Sequence, residues 1–204
     1  MSDLTRKSTT FHMIGGNLSI DFANHMLRLD HYSTAGDQFT IVLTWMEQAG
    51  LISNEQVQRY FFLNDNEPEL VRMFLQNVIR LRVTVYNIFL ALTQGNSPRQ
   101  EDLGVLNEYV KDCYGHLTIA DSTKGFVWQW VEERTVDDCL RPIVRSAAEL
   151  LTSELLSRVR LCPGEHCGWL FLDTTKNRSR KWCDMKDCGN VVKARNYRKR
   201  QNSE

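Results

Sequence analysis

The chain has 204 residues, of which 42% are hydrophobic, 10% aromatic and 25% charged. That is enough apolar material for a true core, which excludes wholesale disorder and predicts one main domain with a small appendage. The sequence has no run of about 18 apolar residues, and MSDLTRKSTTFHMIGGNL lacks an apolar segment followed by a small-residue cleavage site, so a cytoplasmic protein without a membrane partner is expected.

In chain order, FHMIGGNLSIDFAN places Gly15-Gly16 as a turn between two short apolar stretches. Ile41, Val42, Trp45, Met46 and Ala49 recur at helical spacing, with Gly50 positioned to end that helix. Ser53 and Gln56 form a capping-box pattern for the next helix, with Val57, Tyr60 and Phe61 on its buried face. Pro68 to Thr93 carries the longest apolar stripe and is the predicted centre of the core. Ser97-Pro98 begins a helix to about Cys113. LTIAD and FVWQWVE then alternate in period two around Ser122 to Gly125, which predicts a β-hairpin. Helical spacing resumes from Thr135, as an N-cap, to roughly Val159, with Pro142 as an early kink.

The 25 basic and 25 acidic side chains cancel, but residues 158–204 hold 12 Lys and Arg against 5 Asp and Glu, so the C-terminal end is basic and the remainder acidic. Within it the cysteines are spaced C-x4-C, fifteen residues, C-x4-C. Two tight pairs joined by a loop are what one tetrahedral, thiolate-bound zinc requires, so Cys162, Cys167, Cys183 and Cys188 are the expected ligands of one structural Zn2+. Pro163, Gly164 and Gly189 favour the turns, and His166 offers an imidazole as a substitute ligand. Gly168 to Asp173 and Arg180 to Cys183 are expected as two short strands around Thr174 to Ser179, with a helix after Cys188; such an arrangement resembles a treble-clef finger. Cys113 and Cys139 lack cysteine neighbours and are read as buried thiols.

These motifs resemble the CGNR zinc-finger proteins, bacterial proteins with an N-terminal ABATE domain that are regarded as stress-related transcription regulators. GGNLSIDFAN, Gly15 to Asn24, is similar to the opening motif, and CPGEHCGWLFLDTTKNRSRKWCDMKDCGNVVKAR to the finger. Where the family name implies Cys-Gly-Asn-Arg, this chain has Cys188, Gly189, Asn190 and Val191. The expected architecture is mainly α with small β elements (α+β): a multihelical ABATE-like domain over residues 1–157, folding without zinc, and a treble-clef-like finger with a basic helix over residues 158–204.

Lys193, Arg195, Arg198, Lys199 and Arg200 crowd the final segment, and Arg178, Arg180 and Lys181 extend the basic set, which suits contact with the phosphates of double-stranded DNA. The resemblance implies a zinc-containing DNA-binding transcription regulator, with the N-terminal domain sensing a small-molecule effector or forming a homodimer. Asp21 and Asn24 are the candidate effector ligands, although turn and cap roles explain them equally. The alternative is a zinc-stabilised protein-interaction module without direct DNA binding. An enzymatic reading would rest on Asp21, Asn24, His25 and His31, but no nucleophile or completed acid–base pair accompanies them, so no catalytic residue is expected.

Overall fold

The computed structural model describes residues 10–25, 34–131 and 135–201; His31 lies outside them. Helix α1 (Leu18–His25) starts directly after the glycine pair. Asn17 caps it, its side-chain carbonyl accepting from the Ser19 N–H at 3.0 Å. Helix α2 (Ala35–Gln48) begins earlier than its apolar pattern indicates, because Thr34 accepts from the Asp37 N–H and opens the helix one turn upstream. Helix α3 (Asn54–Asn66) carries the expected capping box between Ser53 and Gln56. Helix α4 (Pro68–Thr93) is central, with Val71, Phe74, Leu75, Val78, Leu81, Val85, Ile88 and Phe89 buried along one stripe. Helix α5 is Gln100–Gly115.

The hairpin forms as β1 (Leu117–Ser122) antiparallel to β2 (Gly125–Trp130). The single helix expected from Thr135 to Val159 is instead divided into three pieces. Thr135 and Asp138 close a capping box on a 3-10 turn, Val136–Leu140. Helix α6 (Arg141–Leu151) then starts with Pro142 in its first turn, where a missing N–H is harmless. The hydroxyls of Thr152 and Ser153 take the last carbonyls and stop it, at Ala148 and Leu150 (both 2.9 Å). A second 3-10 turn, Glu154–Arg158, leaves Leu155 47% exposed rather than in an apolar stripe.

The second ribbon also differs from expectation. Strand β4 (Leu170–Leu172) pairs antiparallel with β3 (Val159–Leu161), and Arg180 to Cys183 is not a strand. Buried Asp173 is the reason: its carboxylate accepts from the Thr175 N–H and hydroxyl (3.0 and 2.6 Å) and from the Arg180 N–H (3.1 Å). The chain is thereby wrapped around one side chain instead of running beside β4. Asp184 caps a wide helical turn, Met185–Gly189, which leads into α7 (Asn190–Gln201).

One main core contains Phe22, Phe39, Trp45, Phe74 and Phe89, and Val159, Leu170 and Leu172 belong to it. Strands β3 and β4 thus add Val159, Leu170 and Leu172 to that core from beyond residue 157. Phe171 points the other way, into a small second cluster with Cys162 and Cys183. Strand alternation thus joins two cores through three consecutive residues.

Candidate metal centre and its clasp

Cys162 follows β3, Cys167 ends the loop after it, Cys183 follows the Asp173 wrap, and Cys188 lies in the turn before α7. Their Sγ atoms all lie within 4.8 Å of one another, with Cys167 to Cys183 at 3.5 Å and Cys183 to Cys188 at 3.7 Å. A zinc ion bonded at about 2.3 Å to four tetrahedral sulfurs separates them by about 3.8 Å, so the four thiols form a site for one structural zinc. His166 is excluded from it: its side chain is 91% exposed and lies beside Glu165.

Burial and the neighbouring thiols push the Cys183 thiol far above its ordinary range, and burial with Cys167 beside it pushes Cys188 up to about 12. At Cys162 burial also raises the thiol, but N–H groups of Cys183 and Gly164 outweigh it and hold it low. Crowded thiols that resist ionising separately become thiolates together once a divalent cation sits among them. Four protein ligands leave no open position, which makes the metal structural rather than catalytic.

Gly164 and Gly189 have packing reasons rather than a positive φ. A Cβ on Gly164 would lie 3.0 Å from the Cys188 Sγ, and one on Gly189 would lie 2.4 Å from the Met185 sulfur. From α4, the Tyr86 hydroxyl donates to the Gly168 carbonyl at 2.7 Å and ties the central helix to the ligand loop.

The N-terminal motif closes against this centre. Asn24, 1% exposed, donates from Nδ2 to the Leu170 carbonyl (2.8 Å) and accepts at Oδ1 from the Leu170 N–H (2.9 Å). The Leu172 N–H donates to the Gly15 carbonyl at 2.7 Å. Asp21, 5% exposed, accepts the Gly15 N–H at 2.7 Å. Burial raises its carboxyl to about 6, although that N–H, Arg180 and the neighbouring N–H groups all favour the anion. Both proposed effector residues are thus turned inward, onto the backbone that joins the two halves.

Arg180 has a similar fate. Its guanidinium donates to the carbonyls of Ile14, Leu172, Trp182 and Cys183 and lies 4.8 Å over the Phe171 ring. Among the described side chains of the expected basic set it is the one the fold consumes on backbone carbonyls. Arg178, Lys181, Lys193, Arg195 and Arg198 are exposed, Arg195 being ion-paired with Glu165. Lys199 and Arg200 belong to α7, but their side chains lie outside the described residues. His25 packs edge-on against Trp169 (ring centroids 4.9 Å) and Phe11 (5.3 Å), with burial holding its imidazole low. Cys113 and Cys139 are buried; burial raises the Cys113 thiol to about 11.

Asp173 and Tyr86 were not singled out by sequence. The Asp-Thr-Thr run was a readable turn signal for the first; nothing local marked the second.

A mainly helical domain clasped to a four-thiolate metal module defines a zinc-finger protein of composite α+β build. Over residues 16–154 the chain matches the ABATE family model, described as "Putative stress-induced transcription regulator", and over 158–201 the CGNR zinc finger. The chain belongs to this ABATE family and carries its finger at the C-terminal end. No curated protein sequence matches it significantly. No helix among the described residues is long and apolar enough to cross a membrane.

Proposed function

We propose that this protein is a DNA-binding transcription regulator whose zinc module holds α7 against the phosphates of a duplex, and that it has no catalytic activity of its own. The observation that carries the reading is the division of labour among the cations. Arg180 is spent on backbone carbonyls and Arg160 lies 3.7 Å from buried Asp173, whereas Lys193 and Arg198 stand exposed on the helix that follows the last ligand. Exposed Lys and Arg on a fixed helix displace counterions from nucleic acid, and that release supplies sequence-independent affinity.

On a helix, positions 191, 195 and 198 share one face. Val191, 66% exposed, sits where the family name implies arginine, so this chain presents Arg195 and Arg198 on that face without the third cation. The test is duplex retardation by the zinc-loaded full chain, compared with the Lys193→Ala/Arg198→Ala double variant. The reading expects weaker binding of every duplex by the variant; equal binding by both would remove α7 from the interface.

A further inference from the structure

The β1–β2 ribbon is exposed over most of its length. Among the described residues it is a sheet of two strands, and such a ribbon is marginally stable alone in water. Its register places Leu117 opposite Trp130, Ile119 opposite Trp128 and Asp121 opposite Phe126, so these six residues share one face. Trp130 roots that face in the main core. Towards the tip Ile119 is 66%, Phe126 79% and Trp128 52% exposed, with the Arg145 guanidinium 5.7 Å above the Trp128 ring.

The backbone is equally open. The Val131 N–H donates to the His116 carbonyl, and antiparallel pairs alternate between bonded and non-bonded. Gln129, Val127 and Gly125 therefore bond to β1, while the N–H and C=O groups of Phe126 and Trp128 face the edge that no described strand covers. Proteins guard such edges with charge, lysine or proline. Strand β2, Gly-Phe-Val-Trp-Gln-Trp, has none of these, whereas β1 carries Asp121.

We propose that β2 is a dimerisation edge, pairing antiparallel with β2 of a second copy of this chain across a two-fold axis at Val127. In that register the edge-facing backbone groups of Phe126 meet those of Trp128 of the partner subunit, and the reverse. Both side chains lie on the same face, so two aromatic cross-strand pairs form by symmetry. This self-complementarity is what favours a second copy over a foreign strand. The contact is edge-on: Phe126 and Trp128 meet their counterparts side by side, while Ile119, one strand further in on β1, stays outside it.

The pairing stands apart from DNA binding and is measured without nucleic acid. Sedimentation equilibrium of the zinc-loaded full chain should give twice the monomer mass at micromolar concentration. Phe126→Lys, at a position too exposed to matter for the monomer fold, should weaken the dimer at least about tenfold by placing a charge on the edge. Phe126→Tyr should retain it, as should Phe62→Lys, which removes a comparably exposed phenylalanine from α3. A wild-type chain that is monomeric at about 100 μM, a concentration that reveals any dimer of micromolar affinity, would overturn the proposal. So would a dimer that Phe126→Lys leaves unchanged, or one that Phe62→Lys dissolves.

Discussion

The carboxamide of Asn24 occupies the place of a neighbouring strand, donating to the carbonyl and accepting from the N–H of Leu170 across 146 residues of sequence. Without it, two buried backbone groups lose their partners, each costing about 1–3 kcal/mol. Asn24→Ala should therefore lower stability by about 2–4 kcal/mol in urea unfolding. Asn24→Asp should be nearly as damaging, because a carboxylate cannot donate to the Leu170 carbonyl.

Chelation should be felt far from the metal. Leu170 and Leu172 lie in the main core and Phe171 in the cysteine cluster, so releasing zinc loosens a strand that both share. The chain as purified should hold about one equivalent of zinc, and Cys183→Ser should lose it. Hydrogen exchange should then show lost protection in α1 as well as in β4. For the same reason a fragment ending at residue 157 should be markedly less stable than the full chain, since each buried leucine contributes about 1.5–3 kcal/mol.

Much of this architecture was legible because its signals are local. The Ser53 capping box, the stripe of α4, the Thr123-Lys124 turn of the hairpin and the paired cysteines each announce themselves within a few residues. What was illegible depends on distant partners. Arg180 reads as one more cation in a basic run until Ile14, 166 residues away, is folded beside it. Asp21 and Asn24 read equally as ligands or as structure for the same reason. Strand β3 was hidden because three residues are too few to establish a period of two against the helix pattern before them.

Asp21 makes stability depend on pH in a definite sense. Its carboxyl is raised by burial from 3.8 to about 6, so the folded state holds the proton more tightly than the unfolded one and this contribution is lost as pH rises through that window. Asp21→Asn keeps an acceptor for the Gly15 N–H without the buried charge. Its stability relative to wild type should grow by about 1–1.5 kcal/mol between about pH 5 and pH 7. A carboxyl NMR titration should place the midpoint near 6; a midpoint near the ordinary value would show the anion to be stabilised in place.

Val191 offers a gain-of-function test. Its side chain is 66% exposed on the first turn of α7, so Val191→Arg should cost little stability while adding a cation to the face of Arg195 and Arg198. Duplex affinity should rise at low salt, and the salt slope should steepen by about one.

The most direct test of the central claim is the salt dependence of duplex binding by the zinc-loaded full chain, followed by fluorescence anisotropy. If exposed cations of α7 contact phosphates, log K should fall linearly with log salt concentration, and Lys193→Ala/Arg198→Ala should reduce the slope by about two. The loss should be similar for unrelated duplex sequences. No duplex binding at about 50 mM salt, where phosphate contacts are strongly favoured, would contradict the claim and leave the finger as a protein-interaction module.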